Sequence, residues 1–334
     1  ASFGPSTIGD AASISVLIAV IAGTGVIAAS LLLARAQNRL ESDHRIEPFW
    51  RLGRWQLPVE AAVWSFVALT IVLPLASLLA TSVVPAYGVR LSLESFTVAQ
   101  YAEVLLRQDL TVRAFRNSFM LAGSTALSLA VVSLAAAYLL DRTNPKLRAL
   151  AFSLIELPYA VPGIVLAIAC ILLFIKPLPL INVSIYATPW IILFAYHARF
   201  FAIALKPALA AMATLDRSIE EAAICDGVKL RQRLRYIVLP LVFPAVFAGM
   251  LMVFLLAFNE LTVSALLWSA GTETLGVALL SLEDSGLGAE AAAVAVAATT
   301  LVCLLMLAMQ MMSKWLPDQA LPWQALAGPR RQGG

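Results

Sequence analysis

Residues 218–227 read SIEEAAICDG, and nine residues after them positions 237–240 read IVLP. The first stretch begins with Ser218 and has a glutamate, Glu221, three residues later, which is the capping-box pattern of a helix N-terminus. Alanine has the strongest helix preference of any residue, and the stretch contains two in succession. It therefore predicts a short helix that begins at Ser218.

Two further features of this stretch predict the helix's apolar face and its end. Ile219 and Ile224 give it one apolar face. Gly227 can adopt the left-handed conformation that ends a helix, and Pro240 suits the first turn of the next one. We therefore expect a stiff helix between two turns, with the next span opening at Pro240. An ordinary interfacial helix between two membrane spans is the plainer interpretation.

The segments around this helix are strongly apolar. Of the 334 residues, 61% are hydrophobic and 13% charged, and the mean hydropathy is +0.87. A soluble domain is about half apolar and about a quarter charged. A membrane-spanning helix needs roughly 20 apolar residues, and only helical backbone satisfies its own hydrogen bonds within one segment in lipid. A large soluble protein with buried core helices is disfavoured. We predict seven spans, at about 12–34, 58–84, 117–140, 150–175, 187–206, 238–266 and 290–313.

The basic residues predict the orientation of these spans. If the N-terminus lies outside and the spans alternate, 17 of the 23 lysines and arginines fall on the inner side and five on the outer side. Inner loops of membrane proteins carry an excess of Lys and Arg. We therefore expect an outer N-terminus and a cytoplasmic C-terminus for this chain.

The sequence lacks the patterns of several enzyme classes. It contains no GxxxxGK[ST] phosphate-binding loop, no HExxH and no GxSxG. Its three cysteines fit no metal or disulfide spacing, and it has only two histidines, His44 and His197. We expect no catalytic residue, no metal site and no cofactor, and any ATP hydrolysis belongs to another polypeptide.

The stretch at 218–240 resembles the EAA loop of permeases in binding-protein-dependent ABC importers. That loop has Glu-Ala-Ala, three residues, Gly, nine residues and Ile-x-Leu-Pro, as residues 221–240 do here. The resemblance implies an all-α, polytopic fold: the six-span type I importer permease domain over 58–315, with one extra N-terminal span. The loop, at about 214–240, is a coupling helix that docks on the ATPase in this family. The resemblance implies ATPase-coupling roles for Glu220, Glu221, Ala222, Ala223, Asp226 and Gly227.

The regions outside 58–315 have separate interpretations. Residues 10–16 align with residues 290–296, so the first span is similar to the last. Chance similarity between alanine-rich helices is one explanation. The other is that the first span is the last helix of an upstream permease half, with 35–57 as a basic cytoplasmic linker. Residues 1–57 then form an N-terminal region, and 316–334 a cytoplasmic tail.

Polar residues inside the spans are candidates for a translocation path, because they are costly in lipid. Pro158 and Pro162 predict a break at 157–163 in the fourth span and free backbone carbonyls, which only protein or water can satisfy. Plainer interpretations are that Glu156 pairs with Arg199, that Asn259 links helices, and that His197 is a packed histidine. The candidates for the path are Glu156, Pro158, Pro162, Arg199, Asn259 and Glu260.

The resemblance also implies partners and a mechanism. The partners are an ATPase dimer, a second permease domain fused upstream or separate, a periplasmic or lipid-anchored binding protein and membrane lipid, with no nucleic acid. The chain is then a transporter subunit of the bacterial inner membrane that works by alternating access. Residues 258–264 and 271–275 resemble the iron(III), 2-aminoethylphosphonate and thiamine group, which favours iron(III) or a small phosphonate as cargo. Thiamine, polyamine, sulfate or amino-acid cargo and an ATP-independent secondary transporter are the alternatives.

Three basic residues in the second half of the loop have two interpretations. Arg231, Arg233 and Arg235 alternate with other residues just before the next span. Positive charges near a span's inner end mark the cytoplasmic membrane surface. Direct docking on the ATPase is the alternative.

Overall fold

The computed structural model describes Thr24 and residues 53–177 and 182–312. Within those ranges the ordered elements are helices, and no strand occurs. The all-α prediction is confirmed. The predicted first span apart from Thr24, most of the 35–57 linker and the 316–334 tail lie outside the described residues. The main helices are α1 (Gly53–Ser82), α2 (Asp109–Asp141), α3 (Pro145–Ala160), α4 (Gly163–Phe174), α5 (Pro189–Thr214), α6 (Arg217–Cys225), α7 (Leu230–Phe258), α8 (Leu275–Asp284) and α9 (Gly288–Met312).

Six spans predicted from residue 58 onward have counterparts among these helices. Five described helices are long and apolar enough to cross a membrane: α1, α2, α5, α7 and α9. The sixth is the bent pair of α3 and α4, which turns by 101° at a short break. Pro162 lies in that break and cannot continue α3, because it has no N–H to donate. The break at 157–163 predicted from the two prolines is therefore present.

The described residues fall into two compact units. The larger comprises 113–277 together with 302–312, and the smaller comprises 53–112 together with 278–301. In the larger unit α5 packs against α7 and α3. Small residues allow this close approach: a Cβ added to Gly249 would lie 2.9 Å from Pro207 Cγ and 3.0 Å from the Ala204 carbonyl oxygen.

The smaller unit holds α1 and the stretch 83–108 that follows it. After α1 the chain forms a loop, a short helix at Ala99–Ala102 and a π-helical turn at Glu103–Arg107. The Tyr101 hydroxyl hydrogen-bonds the Ser82 hydroxyl at 2.7 Å, and Gln108 hydrogen-bonds Glu290. These contacts fold the 83–108 stretch onto its own unit.

The seventh helix begins earlier than the sequence predicts. The α-helical stretch Leu239–Phe258 has Pro240 in its first turn, as predicted, but helical backbone extends back to Leu230, ten residues before the proline. A π-helical turn at Leu234–Val238 precedes the proline. Because Pro240 has no N–H, the carbonyl four residues earlier lacks its usual partner, and a wider turn accommodates this. The helix therefore continues through the proline.

Candidate functional site

The short helix α6 begins at a different cap from the predicted one. The Asp216 carboxylate accepts a hydrogen bond from the Ser218 N–H at 2.9 Å, which makes Asp216 the N-cap. Ser218 is the second residue of the helix, so the predicted capping box is wrong. Aspartate is as good an N-cap as serine, and with Asp216 as the cap the helix starts at Arg217, so Ser218 lies inside its first turn. Hydrogen bonds from the backbone and side chain of Ser218 lower the pKa of Asp216, so the cap stays ionised at neutral pH.

The end of α6 agrees with the prediction. Gly227 has a φ of +74°, the left-handed conformation. The Val228 N–H donates to the Ala223 carbonyl at 3.0 Å, and the Gly227 N–H donates to the Ile224 carbonyl at 2.9 Å. These two bonds form a Schellman motif. α6 is therefore a nine-residue helix with a defined cap at each end.

Replacing Gly227 with alanine is expected to loosen this cap. No atom lies within 4 Å of an added Cβ, so the cost comes only from the left-handed backbone, about 1 kcal/mol. Hydrogen–deuterium exchange of the Val228 amide should become several-fold faster, since its bond to Ala223 O is the one the cap holds. Gly227→Asn is the matched control, because asparagine tolerates this conformation. Equal exchange in wild type and Gly227→Ala would contradict the assignment.

The predicted coupling residues lie on two faces of α6. Glu221, Ala222, Asp226 and Gly227 are exposed, whereas Glu220 and Ala223 are buried against the protein's own helices. On the predicted apolar face, Ile219 is 46% exposed and Ile224 54% exposed. α6 thus presents apolar side chains and an acidic residue outward, and holds a second acidic residue inward.

The inward residue, Glu220, joins three helices. Its carboxylate accepts a hydrogen bond from the Tyr138 hydroxyl of α2 at 2.7 Å and pairs with Arg142, just after α2. Arg233 of α7 lies 3.4 Å from its Oε1. Arg142 also stacks on the Tyr138 ring, 3.5 Å from its centroid. Sequence reasoning placed Glu220 with the ATPase contacts, because nothing in the adjacent pair of glutamates shows which one faces inward.

Asp141 receives a second set of contacts near α6. Arg217, the first residue of α6, donates to both the carboxylate and the carbonyl oxygen of Asp141, each at 3.1 Å. Arg148 of α3 lies 3.5 Å from the same carboxylate. The sequence analysis did not single out Asp141 or Arg217 as a pair, because they are 76 positions apart in the chain.

The ion pairs inside the spans differ from the predicted one. Glu156 pairs with Lys206, and Arg199 pairs with Glu260, whose Oε2 lies 3.6 Å from its Nε. The predicted pair of Glu156 with Arg199 is wrong. Lys206 lies seven residues, about 10 Å, further along α5 than Arg199. The packing of α3 against α5 places Glu156 beside Lys206 and not beside Arg199.

Arg199 and Glu260 connect the broken fourth span to the end of the sixth. Arg199 donates to the Val161 carbonyl at 3.2 Å, next to exposed Pro162. Glu260 accepts the Val263 N–H at 2.9 Å. At the same junction Gly163 touches Thr262, and a Cβ on Gly163 would lie 1.9 Å from Thr262 Oγ1. Two breaks in the helices thus meet at a partly buried ion pair.

The remaining path candidates have simpler contacts. Asn259 is exposed and donates to the Leu255 carbonyl of its own helix at 2.9 Å, so this bond does not link helices as one interpretation held. Pro158 lies inside α3. His197 hydrogen-bonds the Ser128 hydroxyl at 2.6 Å and the Leu193 carbonyl at 2.7 Å. Both ring nitrogens are occupied, as expected of a packed histidine.

Residues 271–275 are held against the N-terminal part of α2. Asn117 donates to the carbonyl oxygens of Gly271 and Glu273, each at 3.0 Å. Glu273 is buried, accepts the Gly271 N–H at 3.0 Å and lies 3.6 Å from Arg113. Burial alone would raise the pKa of Glu273, but these contacts lower it overall. Glu273 therefore serves as an ionised anchor of this loop.

Residues 130–316 match the family model of the binding-protein-dependent transport system inner membrane component, which is more than half of the chain. The chain belongs to this family. It is therefore a multi-pass membrane permease, a transporter subunit rather than an enzyme, in line with the expectation from the EAA loop.

Individual relatives of the permease are more distant. It is 29% identical over 252 residues to the probable ABC transporter permease y4fN of Sinorhizobium fredii, covering 74% of this chain and 43% of that one. It is 29% identical over 160 residues to the putative 2-aminoethylphosphonate permease PhnV of Salmonella choleraesuis, covering 48% and 59%. The putrescine permease PotI of Escherichia coli is 27% identical over 195 residues, covering 57% and 68%. The permease spans about half the length of the first two relatives.

A solved structure shares the fold. A chain in the crystal structure of a bacterial alginate ABC transporter, bound to a periplasmic protein carrying an alginate pentasaccharide, superposes with a TM-score of 0.63. The sequence identity is 16%, and the match covers 81% of the permease and 98% of that chain. At this identity the likeness concerns the fold. It confirms the predicted type I importer permease architecture.

Proposed function

We propose that this permease forms half of the substrate path of an ATP-driven importer and that α6 is its coupling helix. The observation that carries the proposal is the outward face of α6. A nine-residue helix with a cap at each end exposes Ile219 and Ile224 beside the free carboxylate of Glu221. Exposed apolar side chains at a rigid site favour a protein partner. A groove in an ATPase would bury these isoleucines and pair with Glu221.

The roles within α6 follow from its two faces. Glu221, Ala222, Asp226 and Gly227 are proposed to contact the ATPase, because their side chains or backbone are exposed. Glu220 and Ala223 are proposed to hold α6 in place, because both are buried against its own bundle. Arg233, which pairs with Glu220, belongs with this second group.

The proposed path follows the ion pairs of α5. Arg199 and Lys206 lie two helical turns apart, each paired with an acid from another span. Pro162 and Asn259 are exposed beside them. Charged groups in membrane proteins face the bundle interior or a water-filled cavity. The path is therefore proposed to run along this side of α5, where a second permease domain, fused upstream or separate, completes the pore.

The remaining partners and the cargo are part of the same proposal. An ATPase dimer acts on the cytoplasmic side, where α6 lies if the C-terminus is cytoplasmic, and a binding protein delivers cargo outside. We propose a small phosphonate such as 2-aminoethylphosphonate, or iron(III), as cargo. The PhnV relatives support a phosphonate, and the likeness of residues 258–264 and 271–275 to that group supports both. Calorimetric titration of the partner binding protein with each compound, and with putrescine, tests this choice.

Glu221→Ala is expected to weaken ATPase binding at least about tenfold, because it removes an exposed charge from the proposed docking surface of α6. The measurement is co-purification and ATP hydrolysis of the complex formed with the ATPase encoded beside the permease. Glu283→Ala is the matched control, since Glu283 is an exposed glutamate in α8 and should leave binding unchanged. Equal ATPase binding by wild type and Glu221→Ala would contradict the docking face.

A further inference from the structure

Two ion pairs join α6 to the C-terminal end of α2, and the α2 side supplies the acid in one pair and the base in the other. Asp141, the last residue of α2, pairs with Arg217, the first residue of α6. Arg142, the next residue in the chain, pairs with Glu220, one helical turn further along α6. The order of charge is minus then plus on α2 and plus then minus on α6. This complementarity allows one alignment of the two elements.

Backbone dipoles strengthen the same contact. The Arg217 guanidinium donates to the Asp141 carbonyl at 3.1 Å, and Arg142 donates to the Tyr138 carbonyl at 3.2 Å. Both carbonyls belong to the last turn of α2, which carries partial negative charge. Cationic side chains there are stabilising and complete the helix end.

Burial makes the Glu220 side of the contact stiff. The Glu220 side chain is 7% exposed, and charge-assisted hydrogen bonds are about twice as strong as neutral ones. The covalent connections of α6 are by contrast turns: Leu215 and Asp216 precede it, and a glycine with positive φ follows it. The side-chain contacts with α2 therefore add constraints on α6 that its flanking segments alone do not supply.

We propose that Glu220 and Asp141 are positioning residues for energy coupling, which clamp α6 to the C-terminal end of α2 so that the two move as one body. The proposal rests on the proposed function, because it assigns the path by which a push from an ATPase reaches the bundle. Neither residue contacts the ATPase. The effect of losing them is therefore uncoupled hydrolysis rather than lost ATPase binding.

Pulsed electron paramagnetic resonance on the complex with its ATPase tests the clamp. One spin label is placed on native Cys225 at the end of α6 and one on Leu139→Cys in α2, with Cys303→Ser removing the other exposed cysteine. The distance is measured without nucleotide and with ATP and vanadate. In wild type we expect the same mean distance and width in both states. In Glu220→Gln and Asp141→Asn we expect a clearly broader distribution.

A second readout separates the clamp from a general loss of folding. Glu220→Gln should bind the ATPase within about twofold of wild type, whereas uptake per ATP hydrolysed falls about tenfold. Glu221→Gln is the matched neighbour: it should weaken ATPase binding and leave the 139–225 distance narrow. Tyr138→Phe removes one hydrogen bond to Glu220 without a charge and supplies a folded variant if Glu220→Gln does not accumulate.

The outcomes distinguish the two proposals. A change in the wild-type 139–225 distance on ATP binding, with the ATPase bound, overturns the clamp and leaves the coupling helix standing. A narrow distribution and normal coupling in Glu220→Gln and Tyr138→Phe also overturn the clamp. Failure of the wild-type permease to bind any ATPase overturns the proposed function and the clamp with it.

Discussion

Arg199→Met is expected to lower the free energy of unfolding by about 3 kcal/mol, the low end for breaking a buried ion pair. The Arg199 side chain is 16% exposed and that of Glu260 is 11% exposed, so the substitution leaves a carboxylate with little solvent. The Val263 N–H and Thr262 still donate to Glu260, which keeps the loss from being larger. Equilibrium unfolding in mixed micelles measures the difference.

Two further variants test the cause of that loss. Arg199→Met combined with Glu260→Gln removes both charges and should return to within about 1 kcal/mol of wild type. Lys206→Met is the matched control on the same helix. Its side chain is 48% exposed, so the loss should stay below about 1 kcal/mol. Equal losses of stability in Arg199→Met and Lys206→Met would contradict a special role for the Arg199–Glu260 pair.

Gly163→Ala is the second substitution with a large expected effect, about 2 kcal/mol of destabilisation. The added Cβ would lie 1.9 Å from Thr262 Oγ1 and 2.9 Å from Thr262 Cβ, so α4 or the 259–263 break must shift. This junction also holds the Arg199–Glu260 pair, so transport should fall together with stability. Thermal unfolding in detergent and uptake in proteoliposomes are the two measurements.

Matched variants separate the clash from the intrinsic effect of alanine. Gly123→Ala in α2 places a Cβ with no heavy atom within 4 Å and should be neutral or slightly stabilising, because alanine favours helix. Thr262→Ala removes the nearest atom and should restore part of the stability of Gly163→Ala. A Gly163→Ala protein as stable as wild type would show that the two breaks do not pack as described.

Much of the fold could be predicted from sequence because the signals are local. Apolar length located the spans from residue 58 onward, and the proline pair at 158 and 162 located the break in the fourth. Gly227 was assigned correctly because a helix that ends in a turn needs a residue that accepts a positive φ. Each of these inferences depends on residues within one turn or one span.

The errors concern contacts between distant residues or competition between neighbours. Glu156 and Arg199 had compatible charges, but the depth of each in the bundle depends on how α3 and α5 pack, and Lys206 lies nearer to Glu156. Both Asp216 and Ser218 are residue types that cap helices, and Asp216 is the cap because the helix starts at Arg217. The inward turn of Glu220 depends on Tyr138 and Arg233, which sequence reasoning could not place beside it.

ATP-driven uptake by the reconstituted complex tests the central claim most directly. Proteoliposomes would hold the permease with its second permease domain and ATPase, and the binding protein would be added outside with the cargo that co-purifies with it. We predict that uptake requires both ATPase and ATP, and that Glu221→Ala abolishes it while Glu283→Ala does not. Uptake that continues without the ATPase, at the same rate in wild type and Glu221→Ala, would contradict the account and indicate a secondary transporter.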